Sequence, residues 1–253
     1  MKEITSVHNA AAQLLRELQK PRARREHGLF VCESAKMVGE AVALHLAQTL
    51  FVEKGREAEY AQMAAQAESM GCALYVVSQA VMQAVSTAKT PQGIVCTAKI
   101  PEPPKTLTGK RIVALDGVQD PGNVGTILRT ADALDIPVTL LEGCADPYSP
   151  KTARATMGAV FRRDVYQCTA DELCALLQKC GLPLYGTALR NDTVSLRDAE
   201  LSRAAVAIGS EGRGLSAEIL SKCEKTIKIP MSPRCESLNA AVAASVVLWE
   251  MYR

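Results

Sequence analysis

The stretch Arg111-Ile-Val-Ala-Leu-Asp116-Gly-Val-Gln-Asp-Pro-Gly-Asn-Val-Gly125-Thr-Ile-Leu-Arg129 joins an apolar run to a loop of turn residues and then to the start of a helical pattern. The run is short and stops at Asp116-Gly117, which predicts a buried strand over 111–116 closed by a turn. Further candidate strands follow at 137–141, 183–188, 204–209 and 225–230, with helical stretches at 124–134, 149–158, 171–180, 214–221 and 236–252. Such alternation predicts an α/β domain with a parallel sheet covered by helices on both faces. Ligands on these sheets sit in the loops at the carboxyl ends of the strands.

Upstream, Ile100-Pro-Glu-Pro-Pro-Lys105 places three prolines in four positions, which neither a helix nor a central strand tolerates. A linker over 100–110 is therefore expected between a domain at 1–99 and one at 111–253. In the first part, helical patterns at 34–46 and 57–70 alternate with short apolar runs at 49–52, 73–77 and 93–97, the pattern of a small α/β domain. From Arg16 to Glu26 five basic residues (Arg16, Lys20, Arg22, Arg24, Arg25) face two acids. Such a cluster can neutralise phosphates, although a solvated helix end would look the same.

The 253 residues are 48% hydrophobic and 22% charged, with a formal net charge of +2, the balance of a folded globular protein. The longest uncharged apolar run, Ala240 to Trp249, is too short to span a bilayer, and Met-Lys-Glu-Ile-Thr at the start holds no apolar signal region. Nine cysteines without a CxxC pair read as reduced thiols, so a cytoplasmic protein without membrane association is expected. His8, His27 and His45 all fall in the first fifth of the chain. The remainder therefore lacks Ser-His-Asp or Cys-His chemistry, and no clustered spacing suggests a metal.

Three loops at strand ends carry the polar residues. In the first, Asn123 and Gly125 open the helix expected over 124–134, and Arg129 falls about one turn in, near a helix N-terminus where anions gather. The bland alternative for Arg129 is a surface ion pair with Asp132. The second, Gly209-Ser-Glu211-Gly-Arg-Gly214, allows close backbone approach. Glu211 would repel a phosphate, so a neutral or cationic ligand suits this loop better. In the third, Ile229-Pro230-Met231-Ser-Pro-Arg-Cys-Glu236-Ser237-Leu238-Asn239 runs into a helix at Ala240. Ser237 and Asn239 both stand where caps are favoured, and a cap uses one of them.

With Asn123-x-Gly125-x-x-x-Arg129, Gly209-x-Glu211-Gly-x-Gly214 and Ile229-Pro-Met…Glu236-Ser-Leu-Asn239 in this order, the chain resembles the SpoU (TrmH-type) RNA 2′-O-ribose methyltransferases of the SPOUT superfamily. Asp146-Pro-Tyr-Ser-Pro-Lys151…Gly158-Ala-Val-Phe161 is similar to the family as well. Ile4-Thr-Ser-x-x-Asn9, Phe30-Val-Cys-Glu33 and Thr90-Pro-Gln-Gly93 resemble the ribosomal-protein-like RNA-binding domain of its ribosomal-RNA members. The resemblance implies a deep trefoil knot in the C-terminal domain, a homodimer, S-adenosylmethionine as cofactor and RNA, ribosomal RNA foremost, as substrate. It implies cofactor contacts from Gly209, Ile229, Pro230, Met231 and Leu238, and a polar catalytic set of Asn123, Arg129, Glu211, Ser237 and Asn239. Arg22, Arg24 and Arg25 would contact RNA.

Two positions depart from the family pattern: Pro233 stands where glycine is common, and Ala241 where valine is frequent. Cys235 beside the site has no base or Pro-Cys signature to make it a nucleophile. Arginine keeps its proton below a pKa of about 12, so Arg129 is expected to grip a phosphate and polarise the ribose hydroxyl, with Glu211 holding the arginine or the loop. The alternatives are a transfer-RNA ribose methyltransferase and a non-catalytic dimeric RNA-binding protein.

Overall fold

The computed structural model describes residues 1–102, 109–162, 165–191, 193–235 and 237–253; Pro103, Pro104 and Lys105 of the expected linker, and Glu236, lie outside them. The first hundred residues run β1 (Lys2–Ile4), α1 (Ala10–Glu17), α2 (Pro21–His27), β2 (Leu29–Glu33), α3 (Ala35–Ala43), β3 (Ala47–Glu53), α4 (Ala61–Ser69), β4 (Ala73–Val77), α5 (Gln79–Val85) and β5 (Ile94–Lys99). Next come β6 (Arg111–Asp116), α6 (Pro121–Ala133), β7 (Val138–Leu140), α7 (Pro150–Thr156), α8 (Ala159–Arg162), β8 (Val165–Gln167) and α9 (Ala170–Cys180). The chain closes with β9 (Leu184–Thr187), β10 (Val194–Ser195), β11 (Ala204–Gly209), α10 (Ala217–Lys222), β12 (Lys225–Lys228) and α11 (Ala240–Tyr252).

Packing divides the chain into two compact units: Met1–Glu102 with Tyr148–Phe161, and the described residues of Pro103–Pro147 with Arg162–Arg253. The first is built on a mixed five-stranded sheet in the order β1-β4-β3-β5-β2, parallel except where β5 meets β3 and β2. The downstream segment joins this unit through an aromatic cluster. The Phe30 ring is fully buried on β2, with centroids 5.2 Å from Tyr148 and 5.5 Å from Phe161. Each such pair contributes about 0.5–1.5 kcal/mol beyond the area it buries.

The second unit holds a seven-stranded, all-parallel sheet in the order β10-β12-β9-β11-β6-β7-β8. Its centre is the pair β6 and β11, aligned from Arg111 opposite Ala204 to Asp116 opposite Gly209. Ile112 to Leu115 and Ala204 to Ile208 are buried, as continuous apolar strands covered on both faces must be. The strands expected at 111–116 and 204–209 have those bounds, whereas the three-residue β8 and two-residue β10 carry too little pattern to be read. Helix α6 starts at Pro121, three residues before its expected start, because the Asp120 carboxylate caps it by accepting from Asn123 N at 2.9 Å. Arg129 therefore stands more than two turns inside the helix and not near its N-terminus. Among the described residues no helix is long and apolar enough to cross a membrane, and no group of three ligating side chains could hold a metal ion.

One residue of the basic cluster has a different task from the one expected. Arg24 is 2% exposed, and its Nη1 donates to Leu18 O at 2.8 Å and Gln19 O at 2.9 Å. A guanidinium there satisfies the carbonyls that the end of α1 leaves open, so Arg24 cannot also reach a phosphate. Arg22 and Arg25 are exposed, Arg22 paired with Glu26 at 2.6 Å across one helical turn. We predict that Arg24→Met lowers the unfolding free energy by about 2–3 kcal/mol, the worth of buried hydrogen bonds to a charged donor. Arg25→Glu should leave it nearly unchanged in the same urea titrations, and Arg22→Glu, which sets two carboxylates at i,i+4, should lower it by less than about 1 kcal/mol.

Candidate active site

The shared ending of β6 and β11 brings two loops to one edge of the sheet. A second tie holds them there: the buried Asp116 carboxylate accepts from Ser216 N, at the cap of α10, at 2.7 Å. The Gly209–Gly214 loop folds back on itself, with Ser210 N donating to Gly214 O at 3.1 Å and Gly214 N to Ser210 O at 2.9 Å. Gly209 is required by this turn. A Cβ there would lie 2.1 Å from the Gly214 carbonyl carbon and 2.4 Å from Leu215 N, closer than backbone atoms allow.

Three of the expected polar residues meet in a relay. Asn239 caps α11, its Oδ1 accepting from Ala241 N at 3.0 Å and Val242 N at 3.3 Å. With the oxygen so engaged, the amide Nδ2 of Asn239 donates to Asn123 Oδ1 at 3.0 Å. Asn123 Nδ2 in turn donates to Glu211 Oε1. Each amide's orientation is fixed by the one before it, starting from the helix cap. Glu211 thus holds Asn123, where the sequence had suggested that it holds Arg129 or the loop.

Arg129 is exposed on α6 and has no hydrogen bond or ion pair among the described residues. The surface pair considered for it goes elsewhere: Asp132 binds Arg162 Nη2 at 2.8 Å.

Beside the relay lies a cavity of about 190 Å³, lined by Thr187, Ala188, Leu189, Leu196, Ile227, Lys228, Ile229, Met231, Ser237, Leu238, Ala243 and Val247. Ile229, Met231 and Leu238, read from the resemblance as cofactor contacts, line one chamber together with Ser237 of the polar set. Gly209 and Pro230 are not in its lining. Thr187, Ala188 and Leu189, at the carboxyl end of β9, were not singled out, although the strand-end rule would have pointed to them. The hydroxyl of Ser237 has no partner among the described residues, and Leu189 stands at the chamber 79% exposed. The walls are mostly aliphatic, with the hydroxyls of Thr187 and Ser237 and one basic residue, Lys228, and among the described residues no glycine is in the lining. That lining fits the neutral base and ribose of S-adenosylmethionine, and among the described residues no acidic residue or phosphate cradle on it points to a metal-bound or polyphosphate ligand instead.

Thiol chemistry finds no support. Burial pushes Cys72 up to about 12, and Cys168 and Cys223 to about 11. Cys235 is exposed, and its thiol donates to Ser237 O at 3.2 Å.

A parallel sheet with a small-molecule chamber and a fixed amide–carboxylate relay at the ends of its strands is an α/β protein with its ligand site where such sheets place one. Residues 110–249 match the SpoU rRNA Methylase family and residues 9–96 the MRM3-like substrate binding domain. The chain is 31% identical over 252 residues to the 23S rRNA (guanosine(2553)-2′-O)-methyltransferase RlmP of Bacillus subtilis (strain 168), covering 99% of both chains. It is similar to the AdoMet-bound rRNA methyltransferase from Sinorhizobium meliloti (31% identity, TM-score 0.87, covering 99% of this chain and 97% of that one). It is also similar to an RNA methyltransferase of the TrmH family from Porphyromonas gingivalis (31% identity, TM-score 0.82, covering 97% and 98%). The chain belongs to the SpoU rRNA methylase family. Its activity is S-adenosylmethionine-dependent methylation of RNA at the ribose 2′-hydroxyl.

Gly209→Ala tests the relay without removing any of its members. Moving the loop by about 1 Å should lower the methyl-transfer rate at saturating S-adenosylmethionine about 100-fold.

Proposed function

We propose that this chain methylates a ribose in ribosomal RNA, working as a cytoplasmic homodimer with residues 1–99 as the RNA-binding domain, 100–110 as the linker and 111–253 as a knotted methyltransferase domain. The observation that carries the reading is the Asn239–Asn123–Glu211 relay beside the aliphatic chamber that Ser237 and Leu238 line. The nine free cysteines suit a reducing compartment. The knot expected from the family is supported by the chain's path: β12 lies inside the sheet between β9 and β10, and α11 then packs on α6 and β11.

S-adenosylmethionine supplies a sulfonium methyl that an oxygen nucleophile can take by in-line displacement. The protein's share is alignment, electrostatics and exclusion of water. Ile229, Leu238 and Met231 hold the cofactor by apolar contact, with Gly209 and Pro230 shaping the loops around them. Ser237 and the fixed amide of Asn123 orient the ribose. Arg129 grips the phosphate beside the acceptor and polarises the hydroxyl, whose proton passes to phosphate or water. Arg22 and Arg25 add to the electrostatic attraction of RNA.

The dimer is supported by α11 itself. Ala240, Ala241, Ala244, Val247, Leu248 and Met251 are buried in the core, while Val242, Val246, Trp249 and Tyr252 form an opposite face that is 39–59% exposed. A helix apolar all round is covered on both sides. The groove beside that face is lined by Asn123, Thr126, Asn239, Val242, Val246 and Trp249 among others, so a second copy seated there would border the relay. Arg129 borders neither this groove nor the cofactor chamber of its own chain, and we place its contact with RNA in the assembled dimer.

Tritiated methyl from S-adenosylmethionine should enter unmodified ribosomal RNA, resist alkaline cleavage at the modified position, and be lost in Arg129→Ala. Incorporation into transfer RNA alone would change the substrate, and none into either would overturn the reading. Trp249→Glu should convert the dimer to a monomer in light scattering and abolish transfer, whereas a wild-type monomer would refute the assembly.

A further inference from the structure

A charged site in the first unit is left unused by this reading. Glu33 ends β2 with a side chain only 4% exposed, a burial that is costly unless the carboxylate is fully paired. It accepts from Ser86 Oγ at 3.1 Å, Thr87 N at 2.8 Å, Thr87 Oγ1 at 2.9 Å and Arg154 Nη1 at 2.9 Å. Thr87 Oγ1 also accepts from Arg154 Nη1 at 2.9 Å, and Ser86 Oγ from Ala88 N at 3.1 Å, so both hydroxyls are locked. Arg154 comes from the last turn of α7, in the Tyr148–Phe161 segment that packs with this unit.

One guanidinium nitrogen makes every inward bond. Nε and Nη2 have no partner among the described residues, and the side chain is 33% exposed. The Nε–Nη2 edge presents two parallel N–H groups, the geometry that takes two oxygens of one phosphate. Neutralising Glu33 needs only a cationic head, so the fork held open toward solvent exceeds what a structural tie requires. Lys89, two residues beyond Thr87, adds an exposed cation nearby in the chain. The geometry points to Arg154 as an RNA phosphate-binding residue, oriented from behind by the buried Glu33–Thr87 pair. This rests on the RNA-methylation reading and adds to it a contact outside the methyltransferase site.

Two variants test it against an in vitro transcript of 23S ribosomal RNA. Arg154→Lys keeps a cation for Glu33 and loses the fork. It should keep the wild-type melting temperature and S-adenosylmethionine affinity and bind the transcript about tenfold more weakly, as expected for a lost charge-assisted pair. The double variant Glu33→Gln/Arg154→Met removes both charges together, sparing the protein an unpaired buried carboxylate. It should lower the slope of log affinity against log salt by about one phosphate contact. Wild-type affinity and slope in both variants, whatever their melting temperatures, would reduce Arg154 to a tie between α7 and β2. A wild-type protein that neither binds nor methylates the transcript, ribosomal RNA or transfer RNA would instead remove the methylation reading, and this site with it.

Discussion

The in-register pairing of β6 with β11 is the constraint from which the active-site geometry follows. Because the two strands stop together, at Asp116 and Gly209, the loops that leave them start side by side. The first of these continues into α6 and delivers Asn123; the second turns tightly at Gly214 and delivers Glu211. Neither loop needs a long excursion, and the carboxylate of Asp116 fastens the base of one to the start of α10 beyond the other. A rigid, fully buried sheet centre thus sets the position of two side chains separated by 88 residues in sequence.

The orientation of the relay has a different origin. Two asparagines in contact can pair in either sense, and an amide flip changes which atom is offered to a ligand. Here the helix decides. The open N–H groups at the start of α11 claim the oxygen of Asn239, and that choice passes through Asn123 to the carboxylate. An ordinary helix cap therefore has an effect three side chains away, and the residue that looks most replaceable by another cap, Asn239, is one that serine or aspartate could not replace. Neither carries an oxygen acceptor for the helix together with an NH₂ donor for Asn123.

Sequence reading reached the frame more readily than the contacts. Continuous apolar runs located β4, β6 and β11 with their observed ends; β6 and β11 are buried on both faces and leave an unbroken signature, whereas β4 is only partly buried and owes its run to β-branched and aromatic residues. Short edge strands such as β1, β8 and β10 are fixed by pairing partners and leave almost none. The start of α6 was legible in Asp120-Pro121, but the more distinctive Asn123 drew the boundary inward. The burial of Arg24 had no such signal: among its neighbours it is one more arginine, and only the open carbonyls at the end of α1 distinguish it. The chamber was half legible, since the loop from Ile229 to Leu238 carries polar and apolar markers, whereas Thr187 to Leu189 contribute through their place at a strand end. The members of the relay were named from the resemblance, but their pairing could not be read, because they are far apart in the chain and meet only through the sheet order.

The path of the chain between its two units limits how this protein can have been assembled or can be rearranged. The first unit is completed by Tyr148–Phe161, so the polypeptide passes from one unit to the other three times, and only the first passage lies at the proline-rich stretch. Cutting there would not release a finished module. The amino-terminal piece would lack the Tyr148 and Phe161 rings that cover Phe30 and the arginine that neutralises Glu33, and would be left with exposed apolar surface and an uncompensated buried charge. The first unit is consequently not portable as a cassette in this architecture. A chimera with a different amino-terminal part has to exchange a second, internal piece at the same time, and the two pieces are bound to vary together.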